Sequence, residues 1–551
     1  MRQGSSTHTD ARANALWGNG KKLRLLLATM LVALVALSAG QVGRADAASR
    51  LAYASPGLLD QAAANPNDFF DVIVQATKDR KSADVAGEVS DVLKGDPAKG
   101  TKLKRQFVSI AGTSATLSGK QILKLAQKDW VESIMLDAQT GATYSNNQLW
   151  VGATEILEKK TNPWTASFGF PAIAIVDSGV QARTDFGSRL KTQVSFVSGG
   201  LNSSSDGFGH GTLVAGLAAG SASGYAGVAP KADIVSLDVL NDAGVGTMSD
   251  VIAACDWILQ NKATYNIRVA NFSLNAGSGA SILYDPLDRA VEKLWLNGVV
   301  VVAAAGNYAI NGAASGVLFS PANDPFVITV GASDVNSTAD NNNDFSAPWS
   351  AWGYTYDGFL KPEIAAPGRS LTSSVPSGST LATLFPSRKV GADYMWMSGT
   401  SFAAPLVAGA AAWFLADHPS WSPDQVKGAL MLDADVPNGY QSNGALGVGV
   451  IDADGDVGTN SPPNPNAALD QFVTTDSATG LYVFDSASWA SAASASASWS
   501  SASWSSASWS SASWSSASWS SASWSSASWS SASWADASWA DASAASNIGV
   551  Q

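Results

Sequence analysis

Short, mostly apolar runs recur through the middle of the chain, at residues 173–176, 232–239, 267–274, 299–305 and 326–331. Runs of this length predict strands buried on both faces, as in a parallel sheet covered on each side. Between them, residues 248–261 and 283–296 read as helices. Alternation of this kind predicts an α/β fold with a mainly parallel sheet and helices on both faces, over about residues 145–457. Two further helical runs, 214–219 and the alanine-rich 400–415, are built of small and apolar residues.

A different rhythm precedes this region. Over residues 71–137 the order is strand, helix, strand, strand, helix, strand, which predicts a separate small α+β unit. Residues 458–485 include Ser461-Pro-Pro-Asn-Pro-Asn near their start and read as a linker. From 486 onward the unit Ala-Ser-Trp-Ser-Ser repeats every five residues, with Trp at 499, 504, 509 and on to 539, and Trp489 set apart from the run. A period of five matches neither helix nor strand. Two readings of this 486–551 tail stay open: a disordered segment whose tryptophans contact glycan or a cell surface, and a pentapeptide solenoid.

Composition adds compartment and exclusions. With 551 residues, 46% of them hydrophobic, the chain supplies a large core and more than one domain. The single cysteine, Cys255, cannot form an internal disulfide and reads as a buried structural residue. Residues 1–47 carry a basic Lys21-Lys-Leu-Arg24, an apolar stretch over 25–37 and a small-residue Ala45-Asp-Ala47, the pattern of a secretory signal peptide. An extracellular location follows as the expectation. Residues 141–551 hold 15 Lys and Arg against 32 Asp and Glu, so nucleic acid is not an expected partner.

Three glycine-rich motifs carry the candidate chemistry: Ala172-Ile-Ala-Ile-Val-Asp177-Ser-Gly, Asp206-Gly-Phe-Gly-His210-Gly-Thr, and Met397-Ser-Gly-Thr-Ser401-Phe-Ala-Ala-Pro. Asp177 falls just past a strand end, where open α/β sheets place ligands. Of three histidines, His8 lies in the segment expected to be removed and His418 in a helix-ending loop, which leaves His210 as the general base. Ser401 opens a helix, where unpaired N–H groups suit a developing oxyanion. The order Asp, His, Ser separates this set from the α/β-hydrolases and the chymotrypsin-like enzymes.

In that order, these motifs resemble the subtilisin-like serine proteases, the subtilases. The resemblance implies a three-layer subtilisin-like fold and acyl transfer to Ser401, with Asn307, after the strand at 299–305, joining the Ser401 N–H in an oxyanion hole. It implies substrate-binding roles for Ser273, Leu274, Asn275, Ala304 and Gly306. Asn275 departs from the family pattern, which has Gly there. Residues 48–144 look like a propeptide whose ferredoxin-like region, 69–140, chaperones folding and blocks the cleft, with Tyr144–Ser145 as the expected maturation cut. Structural calcium is implied without assignable ligands; the chemistry itself requires no cofactor. The expected product is a secreted, monomeric endopeptidase acting on proteins or peptides. The alternative is a catalytically idle subtilase fold that binds surfaces through its Trp repeat.

Overall fold

The computed structural model describes residues 51–495, apart from 56, 78–79, 138, 143–168, 204, 337–342, 441–443 and 453–459. The expected signal peptide and the Trp repeat beyond 495 lie outside the described residues.

An N-terminal unit contains strands β1 (Tyr53–Ala54), β2 (Phe69–Ala76), β3 (Lys102–Gln106), β4 (Gly112–Ser118) and β5 (Val131–Leu136). They form one sheet in the order β1-β5-β2-β4-β3. Helices α1 (Leu58–Ala64), α2 (Ser82–Gly95) and α3 (Gly119–Ala126) accompany it. In α2 the buried residues Val85, Val89 and Val92 recur at helical spacing, so one stripe faces the sheet. Ser118 and Gln121 start α3 with a reciprocal capping box, each side chain accepting from the other's backbone N–H. The strand and helix order expected over 71–137 is present, with β1 and α1 added before it. A further strand, β6 (Gln139–Ala142), leaves this sheet altogether.

The main sheet is built from β7 (Ala172–Asp177), β8 (Leu190–Ser195), β9 (Ile234–Asp238), β11 (Ile267–Phe272), β13 (Val300–Ala304) and β14 (Ile328–Asp334). The short β10 (Val245–Thr247) and β12 (Leu274–Ala276) stand apart from it. The spatial order is β14-β13-β11-β7-β9-β8 and every one of these pairings is parallel. Strand β15 (Phe345–Ser346) adds antiparallel to β14, and β16 (Ile364–Pro367) adds parallel. The chain runs from β7 out to β8 and β9, then returns to the other side of β7 as β11. Strand order therefore reverses between β7 and β11, and the crevice at their carboxyl ends is where such sheets bind ligands.

Helices α4 (His210–Ala219) and α7 (Thr400–Asp417) pack against each other, as do α5 (Met248–Tyr265) and α6 (Pro286–Leu296). Helix α7 is apolar all round and buried from Thr400 to Ala416, as a helix at the centre of a core must be. Cys255 is fully buried in α5, and burial with neighbouring Asp256 pushes its thiol well up, consistent with a structural role.

The stretch read as a linker is not one. Its described part folds onto the main domain as strands β17 (Val473–Thr475) and β18 (Tyr482–Phe484), followed by α9 (Ser486–Ala495); helix α8 (Pro423–Leu432) lies beside it. Phe484 packs edge-on against Phe326 at 5.1 Å, and Trp489 stacks on Phe359 at 5.6 Å. The Asn466 amide donates to Phe326 O and to Asp424. Strands of three residues carry no readable periodicity, so isolated aromatic anchors hold the segment in place. Trp489, the tryptophan set apart from the repeat, is one of them and is buried.

The N-terminal unit rests on α5 and α6. Asp137 accepts from the Ser249 N–H and hydroxyl in the first turn of α5. Asp256 accepts from the Val108 and Ser109 N–H groups. Arg105 pairs with Asp250 at 3.1 Å, and Arg289 with Glu132 at 2.8 Å.

Candidate active site

Four sequence segments meet at the carboxyl ends of β7, β11 and β13. Asp177 ends β7, fully buried, and its carboxylate lies 2.8 and 2.9 Å from His210 Nδ1. Its Oδ1 also accepts from the Ser178 N–H. The contact fixes the imidazole tautomer, since Nδ1 must carry the proton it gives to a carboxylate. Nε2 is then the basic nitrogen; it is buried and, among the described residues, has no hydrogen-bond partner.

His210 is the first residue of α4, and the approach of that helix to β7 depends on small residues. A Cβ on Gly211 would sit 2.0 Å from Gly179 O, so only glycine lets the two segments come so close. Asp206 locks the join. It accepts from the Gly209 and Thr212 N–H groups and from the Thr212 and Ser178 hydroxyls, and the Ser178 hydroxyl accepts from Gly211 N–H. Burial pushes the Asp206 carboxyl up to about 7 against those four donors. The sequence reading quoted Asp206 within its motif but gave it no role. An Asp placed just before a helix start is the signal that could have found it.

Ser401 lies in the first turn of α7, and Ser273, directly after β11, holds it from two sides. The Ser401 hydroxyl donates to Ser273 O at 3.1 Å, and the Ser273 hydroxyl donates to Ser401 O at 2.7 Å. The ring of Phe402, the next residue, lies 5.1 Å from the imidazole of His210, so the helix that carries Ser401 abuts that ring. Among the described residues, His418 is the other histidine. It stacks on Trp421 at 3.8 Å, where it ends α7 and takes no part in this cluster.

Asn307 follows β13 through Gly306, whose φ of +109° favours glycine. The Asn307 Oδ1 accepts from the Thr400 N–H at 2.9 Å and the Thr400 hydroxyl at 3.1 Å. The same hydroxyl accepts from Gly306 N–H at 3.0 Å. These bonds assign the amide orientation and leave Nδ2 buried without a partner. The site thus presents an unpaired acceptor, His210 Nε2, and an unpaired donor, Asn307 Nδ2, the two groups an acyl transfer has to fill.

Beside this cluster, β6 lies between β10 and β12 and pairs antiparallel with both. Leu274 and Asn275 belong to β12, and the Asn275 Nδ2 reaches Ala304 O at 3.4 Å. An extended chain therefore occupies a backbone groove that leads to Ser273 and Ser401.

A model of the subtilase family matches residues 171–473. The chain belongs to this family. Among its relatives, the serine protease AprX of Bacillus subtilis (strain 168) is 33% identical over 370 residues, covering 65% of this chain and 82% of the relative. Subtilisin E of the same organism is 32% identical over 356 residues, covering 64% and 82%. Subtilisin DY of Bacillus licheniformis is 36% identical over 265 residues, covering 48% and 82%. This subtilase is a serine-type endopeptidase that acts on proteins or peptides. Among the described residues, no group of three or more His, Cys, Asp or Glu is placed to hold a metal ion, so the calcium implied by the resemblance has no ligands to name.

Proposed function

We propose that Asp177, His210 and Ser401 are the catalytic triad of a secreted, self-processing endopeptidase. The observation that carries this reading is the pair of unfilled groups, His210 Nε2 and Asn307 Nδ2, set at the helix that begins with Thr400 and Ser401. Asp177 holds the tautomer and stabilises the imidazolium that forms. The Ser401 Oγ attacks the scissile carbonyl while Nε2 takes its proton. Asn307 Nδ2 and the Ser401 N–H stabilise the resulting oxyanion. Nε2 then protonates the leaving amine, and water, activated in the same way, releases the acyl group from Ser401.

Residues 48–144 act in this reading as a propeptide and intramolecular inhibitor. The support is β6, which continues from the N-terminal unit into the groove that a substrate must occupy. Residues 1–47 direct export, and the repeat tail beyond 495 contacts a cell surface or glycan; both rest on sequence pattern. The mature enzyme works as a monomer and needs no cofactor for the chemical step, with any calcium confined to a structural role.

Expression of Ser401→Ala tests the assignment. A folded, inactive precursor beginning near Ala48 is expected, whereas the unmutated chain acquires a new N-terminus between about residues 138 and 148. Normal maturation of purified Ser401→Ala, with no other protease present, removes Ser401 from the nucleophile's role.

A further inference from the structure

Strand β6 shows in which register a chain is read. On one side Thr140, Gly141 and Ala142 lie opposite Ala276, Asn275 and Leu274. On the other, Gln139, Thr140 and Gly141 lie opposite Thr247, Gly246 and Val245. Carried one step further, the same register would set the next residue of an occupying chain opposite Ser273, whose carbonyl oxygen is 3.1 Å from Ser401 Oγ. The residue opposite Ser273 is thus the one whose carbonyl the nucleophile meets. Counted along this chain it is Thr143, which makes Thr143–Tyr144 the bond in register. The resemblance instead expects Tyr144–Ser145, one residue further on. Both bonds lie outside the described residues.

The same register says which protein side chain meets that residue. In an antiparallel pair, opposed residues share a face and every second residue returns to it. For any chain seated in the β6 place, the side chain opposite Ser273 therefore lies on the face of Asn275, as its diagonal neighbour. The Asn275 amide does not lie free on that face. Its Nδ2 bridges to Ala304 O at the end of β13, and its Oδ1 is buried with no partner. A bar of amide across the space between β12 and β13 shortens any pocket there, and a buried acceptor without a donor is costly until a ligand supplies one.

We propose that Asn275 is a specificity-determining residue, selecting on the acyl side of the scissile bond a short side chain that donates a hydrogen bond, Thr or Ser. Self-cleavage after Thr143 is the intramolecular case. The inference rests on the serine endopeptidase reading above and names the substrate class of that same site.

Purified mature enzyme is assayed on peptides identical except for this residue: Thr, Ser, Val, Ala, Phe and Tyr. Thr and Val have the same shape, so their ratio isolates the hydrogen bond, and the expected advantage of Thr in kcat/KM is about tenfold. Phe and Tyr test length, and both are expected to fall below Thr. Asn275→Gly is expected to bring the Thr to Val ratio close to one and to raise Phe relative to Thr. N-terminal sequencing of the matured protein is expected to begin at Tyr144. Equal cleavage of Thr and Val peptides, a preference for Phe or Tyr in the unmutated enzyme, or a mature chain beginning at Ser145 overturns the proposal. The parent reading fails separately: cleavage that persists in Ser401→Ala overturns the nucleophile, whereas Ser401-dependent cleavage without the Thr preference overturns only the role of Asn275.

Discussion

Two groups of buried carboxyls lie in one domain and are treated in opposite ways. At the candidate active site, both oxygens of Asp177 face His210 Nδ1, and Asp206 collects four donors. Along one side of α6, Asp285, Asp288 and Glu292 gather with Asp324, all buried. There one oxygen each of Asp285, Asp288, Glu292 and Asp324 has no partner. Burial, with mutual repulsion, raises Asp288 and Glu292 well above the carboxylate range, and Asp285 and Asp324 reach about 6. A raised value alone does not separate the two groups, since Asp206 with its four donors also reaches about 7. A raised carboxyl marks desolvation; an array of donors aimed at a carboxylate marks a site prepared to hold charge.

Substitution at the two centres should separate them most in turnover. Asp177→Asn is expected to lower kcat about 10⁴-fold with the thermal midpoint little changed, because the imidazole loses its tautomer. Asp288→Asn, made in parallel, should leave kcat within a few-fold. Equal losses in the two variants would break the contrast.

Asn307→Ala should cost about 10²–10³ in kcat, the range seen when an oxyanion-hole donor is removed, with a much smaller change in KM. A loss confined to KM would assign the amide to ground-state binding.

Stability should carry the signature of the second centre. Carboxyls raised in the folded state contribute stability that is fully present below their unfolded values near 4 and is lost as pH rises through about 6. The urea midpoint of Ser401→Ala, used to prevent self-digestion, is therefore expected to fall between pH 5 and pH 8. Adding Glu292→Gln should make that fall with pH shallower, since the group it removes is raised by burial and by the Asp324 charge. An unchanged slope would mean the cluster ionises without penalty.

The smallest effect concerns what covers α6. Asn297, which ends α6, exchanges hydrogen bonds with the backbone of Tyr482, and Lys293 lies 3.6 Å from Asp476. Truncation after Ala495 should leave peptide turnover within a few-fold and the melting temperature unchanged. Truncation after Val457 removes Trp489 and the β17–β18 hairpin and should lower that temperature by several degrees. Identical melting of the two truncated proteins would mean the segment is not part of the fold.

The sheet was legible because strands buried on both faces write their apolar runs contiguously, as at Ile173–Val176 and Val300–Ala304. The candidate site was legible for a similar reason: Asp177, His210 and Ser401 each sit in a local signature fixed by close backbone approach. What depended on distant partners was not legible. Asp288 and Glu292, four residues apart on a helix, carry no local mark of burial, which comes only from Asp324 and Asn323 brought against them. The segment from 460 to 485 betrays nothing of its docking, because Phe326 and Phe359 lie far off in sequence. Asn275 could be seen to depart from a family pattern, but its reach to Ala304 needs two strands placed side by side.

If a substrate takes the place of β6, the groove also limits what this enzyme can digest. A chain seated there is extended from residue 139 to 142 and has exchanged every neighbour of its own for β10 and β12. A compact target offers no such strand until a segment peels away, so its digestion is governed by its own local opening equilibrium. On that condition the enzyme would read transient unravelling: loosely folded, damaged or newly denatured proteins would be consumed first and a tightly folded neighbour spared.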